Sequence, residues 1–107
     1  MIARLRVAQQ NGIELRTTAI VVAQVWRDPA GRQSELARLL RAVDVRPVDE
    51  PLGREAGVLI GRARTNDPID AAIILVAAHG DRILTSDASD IKRLAAVARK
   101  RVAVIPC

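Results

Sequence analysis

The sequence predicts an α/β fold, a short parallel sheet flanked by helices. Three observations carry that expectation. Half of the 107 residues are hydrophobic, yet Trp26 is the single aromatic, so the core must be built from Ala, Val, Ile and Leu. β-branched runs alternate with Ala-rich runs along the chain. Strand-like and helix-like stretches follow each other in turn, which implies parallel strands covered on both faces. A chain of this length makes one domain.

Taken in order, residues 2–11 read as a helix with a thin stripe of Ile2, Leu5 and Ala8, stopped by Asn11-Gly12. Ile13 to Thr17 reads as a strand. The run AIVVAQVW after Thr18 reads as a helix, because a strand there would leave no crossover to the next element. Asp28-Pro29-Ala30-Gly31 is a turn. Gln33 to Val43 is amphipathic, with Leu36, Leu39, Leu40 and Val43 at helical spacing. Val45 to Val48 is a strand closed by Asp49-Glu50-Pro51, and Pro51 opens the next helix.

That helix carries Gly53, Gly57 and Gly61 at every fourth position. Glycine costs about 1 kcal/mol against alanine inside a helix. Three on one face therefore predict a close neighbour: a sheet, another helix or a second subunit. Pro68 starts a further helix behind Asn66 or Asp67, and Ala71 to Ala78 is apolar all round, as expected of a buried central helix. Gly80 is expected as its left-handed cap. His79 is expected to satisfy carbonyls at the helix end rather than to act in catalysis. Arg82 to Thr85 reads as a strand, Ile91 to Ala98 lies on a helix, and Val102 to Ile105 is the last strand.

Net charge is +5, nearly all of the basic residues being arginine. This favours an acidic or polyanionic partner, and the near-absence of aromatics, Trp26 apart, argues against recognition by base stacking. Arg27, Arg32, Arg54 and Arg64 could meet phosphate or simply be solvated. Cys107 is the single cysteine, so an internal disulfide is excluded and a reducing compartment is expected. No segment has the pattern of a signal peptide or a membrane span, and a cytoplasmic location is expected.

The chemistry concentrates between Asn66 and Asp90, where four of the five carboxylates stand in two pairs, Asp67/Asp70 and Asp87/Asp90. Docking of the apolar helix on the following strand would bring both pairs to one sheet edge, where ligands of parallel sheets bind. Carboxylates gathered without a base favour a cation among them, and oxygen ligands suit Mg2+ or Mn2+. The competing reading is that Asp67 and Asp87 or Ser89 only cap helices.

The segment DPIDAAIILVAAHGDRILTSDASDIKRL resembles PIN domains, in particular VapC-type toxins of toxin–antitoxin pairs. The matching residues are Asp70-Ala71, His79-Gly80, Ile83 to Asp87, and Asp90; the segment TTAIVVAQVWRDPAGRQSELARLL also looks like the second-helix region of those proteins. The resemblance implies a three-layer PIN-like fold over residues 1–107 and a Mg2+- or Mn2+-dependent endoribonuclease. It also implies a homodimer, neutralised by a VapB-type antitoxin and without membrane association. Carried over by residue, Asp70 and Asp87 would hold the metal, Asp90 would assist them in catalysis, and Asp67 could share the metal. Two departures go with it. The family's first strand, ending in an aspartate, is lacking here, which makes the expected domain N-terminally incomplete. Gln24 stands where the family has a glutamate. The alternative function is a catalytically weakened module that binds antitoxin or RNA, and a further one is an unrelated α/β signalling domain.

Overall fold

A computed structural model describes residues 2–27 and 33–107. The turn expected at residues 28–31, and Arg32, lie outside the described residues. The elements are α1 (Ile2–Gln10), β1 (Leu15–Thr18), α2 (Ala19–Val25), α3 (Ser34–Leu40), β2 (Val43–Arg46), α4 (Glu50–Ala63), α5 (Pro68–Val76), β3 (Arg82–Thr85), α6 (Ala88–Val97) and β4 (Ala103–Pro106). The architecture is mixed α/β. Its strands form two parallel pairs, β1–β2 and β3–β4, rather than one sheet. The chain divides into two compact units, Met1–Pro47 and Val48–Cys107.

In the first unit, β1 pairs with β2 in the register Leu15↔Val43 to Thr18↔Arg46. The strand β2 begins two residues earlier than expected. The helix α3 stops at Leu40, the Ala42 amide donates back to the Leu39 carbonyl, and Val43 is already paired with Leu15. Pro47 then ends the strand, since it has no amide to donate. Leu36 and Leu39 are the buried residues of α3, and α1 packs against that helix without burying any residue of its own. Arg6 and Glu35 pair at 2.7 Å between those two helices, both exposed. Gln33 joins the end of α2 to the start of α3: its side chain accepts from the Arg27 amide and donates to the Val25 carbonyl.

In the second unit, α4, α5 and α6 pack on one another, and β3 pairs with β4 in the register Arg82↔Ala103 to Thr85↔Pro106. The core is aliphatic throughout. Leu59 comes from α4, Ala71 and Ile74 from α5, Ile83 from β3, and Ile91, Leu94 and Ala95 from α6. The local signals act as their chemistry dictates. Asp49 caps α4 by accepting from the Leu52 amide, with Pro51 in the first turn.

Three expectations are corrected here. No atom of the second unit lies within 4 Å of where a side chain would begin at Gly53, Gly57 or Gly61, so no sheet or helix of that unit closes on the glycine face of α4. Gly80 does not cap α5. That helix ends at Val76 with an extended Ala77, and Gly80 takes its positive φ of 92° in the turn that follows. His79 does not serve the helix carbonyls either: its Nδ1 accepts from the Arg101 amide. Lys100 does that work, its Nζ donating to the Ile74 and Leu75 carbonyls at 2.8 and 2.9 Å. No helix among the described residues is long and apolar enough to cross a membrane.

Candidate metal centre

The amino ends of α5 and α6 meet at the carboxyl end of β3, and the acidic residues stand there. Asp67 is the cap of α5, its Oδ1 accepting from the amides of Ile69 and Asp70 at 2.9 and 3.1 Å. Asp70 lies in the first turn of that helix. Asp87 is the cap of α6, its Oδ1 accepting from the Asp90 amide at 3.3 Å and from the Ser89 hydroxyl at 3.4 Å. Asp90 lies in the first turn of α6. Both helices thus point their positive dipole ends toward the cluster, which offsets part of the repulsion among the carboxylates.

One carboxylate oxygen from each of Asp70, Asp87 and Asp90 lies within 4.8 Å of the others. An octahedral ion with oxygens at about 2.1 Å needs separations of roughly 3 Å between adjacent ligands and roughly 4 Å across. The three oxygens therefore fit a magnesium-sized ion with small side-chain adjustments. Ligands of this kind, hard and anionic, suit Mg2+ or Mn2+. Capping leaves a carboxylate oxygen that could still serve as a ligand. Asp87 caps with Oδ1 and keeps Oδ2 outside the capping bonds. Asp67 commits its Oδ1 to two amides and stands outside the set of three; Asp90 contributes the third oxygen.

The electrostatics agree with the geometry. Asp70 is half-buried, and its carboxyl is pushed up from 3.8 to about 6. Loss of solvation is the largest cause; the charges of Asp67, Asp87 and Asp90 follow, with a hydrogen bond that protonated Asp70 donates to the Asp67 carboxylate. The charged neighbours that raise Asp70 are other carboxylates, so protonation of Asp70 or a bound cation would each relieve the repulsion.

Thr85 was not singled out as a site residue from the sequence. It is nearly buried, and its Oγ1 accepts the Asp87 amide at 2.9 Å, which fixes the turn that delivers Asp87. The signal available was the Thr-x-Asp spacing, a hydroxyl reaching the amide two residues on. Gln24 is exposed on α2 in the first unit. Comparison with known proteins yields no match to a family model, a curated protein or a solved structure.

Proposed function

We propose that the chain is a VapC-like toxin: a PIN-type, metal-dependent endoribonuclease, acting as a homodimer and neutralised by a cognate VapB-type antitoxin. The observation that carries this reading is the approach of Asp70, Asp87 and Asp90 to within 4.8 Å at the shared end of α5, β3 and α6. A divalent ion held there would supply Lewis-acid activation of water and neutralise charge at the attacked phosphate. Asp70 and Asp87 are the ligands from the two separate helices, and Asp90 completes the set. Asp67 works through Asp70, by orienting the α5 amino end and by adding negative charge beside it. The excess of arginine favours contact with the RNA backbone.

A second reading, binding of RNA or antitoxin without efficient cleavage, is favoured by Gln24. A neutral amide stands where the resemblance implies a glutamate, and it contributes no charge to hold a divalent ion.

The test is cleavage of structured and single-stranded RNA with Mg2+, Mn2+ or EDTA. Asp87→Asn isolates the chemistry, because Asn caps a helix about as well as Asp. It should leave the fold intact and lower the cleavage rate at least about 100-fold, the loss of one charged ligand from a metal-assisted reaction. Equal cleavage by this variant, or cleavage unaffected by EDTA, refutes the site. Retained RNA binding with no cleavage by the wild-type chain supports the second reading.

A further inference from the structure

Among the described residues, β4 of the second unit has β3 as its single strand neighbour. Its hydrogen bonding shows which way each residue faces. Ala103 donates to the Asp81 carbonyl and Cys107 to the Thr85 carbonyl, so alternate residues from 103 onward turn their backbone groups inward to β3. By the same alternation Val104, and Val102 just ahead of the strand, turn their amides and carbonyls outward. Pro106 also falls at an outward position, where its missing amide breaks no bond to β3. Beside this edge runs an open cleft of about 530 Å3, between β4 and one flank of α6. Lys92, Lys100 and Arg101 line it, and no acidic residue does.

We propose that this cleft docks an extended acidic peptide of a partner protein, which joins the β3–β4 pair as a third strand. The outward amides and carbonyls of Val102 and Val104 supply the main-chain bonds, as in strand addition to any open sheet edge. The exposed Lys92 and Arg101 pair with the acidic side chains, and Lys100, bonded to the end of α5, adds its charge from behind. Charge decides the occupant: a second copy of this chain would bring the same cations face to face, whereas an acidic strand meets them with opposite sign. The proposal does not rest on the metal centre.

The experiment uses the full chain and a fluorescein-labelled peptide of about nine residues in which Val alternates with Glu, a length typical of strands. Fluorescence anisotropy should show saturable binding that weakens with added salt. A Val/Lys peptide of the same length should not bind. Two variants separate backbone from charge. Val104→Pro removes the outward amide from an edge position that tolerates proline, and Lys92→Glu with Arg101→Glu reverses the rim; each should weaken the acidic peptide at least about tenfold. Asp87→Asn should bind as the wild type does. Binding unchanged in both variants, or equal binding of the Val/Lys peptide, overturns the proposal. So does a single-stranded RNA that binds the cleft, losing affinity with the charge reversal and none with Val104→Pro. If Val104→Pro unfolds by circular dichroism, the charge-reversed variant decides alone.

Discussion

At the residue scale, Asp70 is the group whose surroundings matter most. Its carboxyl titrates near pH 6 in the folded chain, against 3.8 ordinarily. Between those values the folded state binds more protons than the unfolded one, so the contribution of Asp70 to stability is fully present below about 3.8 and is lost as pH rises through about 6. This is the reverse of a salt-bridged aspartate. A divalent ion should cancel the effect by favouring the ionised form. Thermal melts without metal should therefore show a lower Tm at pH 7.5 than at pH 5, and added Mg2+ or Mn2+ should raise Tm at pH 7.5 and hardly at pH 5. Saturating ion at about 100 times its Kd is worth about 2.7 kcal/mol. A Tm that climbs with pH in EDTA, or that ignores both ions, would count against the cluster as a cation site.

Among the elements, α4 offers the sharpest case. It carries a good cap at Asp49, Pro51 in the first turn and a buried stripe of Ala56, Leu59 and Ala63. Its three glycines weaken it with no packing in return within the second unit, since nothing there lies within 4 Å of an added side chain. Gly57→Ala should accordingly stabilise the chain by about 0.5–1 kcal/mol, read as a higher urea midpoint at constant slope. A loss of stability would mean that the open face is covered by something in solution. The ends of α5 teach a related lesson. Its start was legible from Asp67-Pro68, because a cap and a first-turn proline act on neighbouring amides. The partners of its last carbonyls were not, because Lys100 stands 25 and 26 residues further on.

For the whole molecule, apolar burial is unevenly shared. The second unit has a contiguous aliphatic core from four elements, α4, α5, β3 and α6, including the fully buried Ile74 and Leu94. The first has Leu36 and Leu39, with α1 contributing no buried residue. Native-state hydrogen exchange should show two tiers, slow amides in α5, β3 and α6 and faster ones in α1 and α2. Uniform protection along the chain would contradict that division. The order of helices and strands, the aliphatic core and the four candidate acids could all be read from residues alone, since caps, prolines and apolar periods act over a few positions. The helix reading of AIVVAQVW holds as α2, although valine favours strands, because the chain had to cross before it could pair Leu15 with Val43. Tertiary structure alone decided that the strands form two pairs, that Asp70, Asp87 and Asp90 each bring an oxygen within 4.8 Å of the others, and that no sheet or helix of the second unit closes on the glycines of α4. Each of these depends on distances between residues far apart in sequence, and those are set by how the helices pack, which no local pattern encodes.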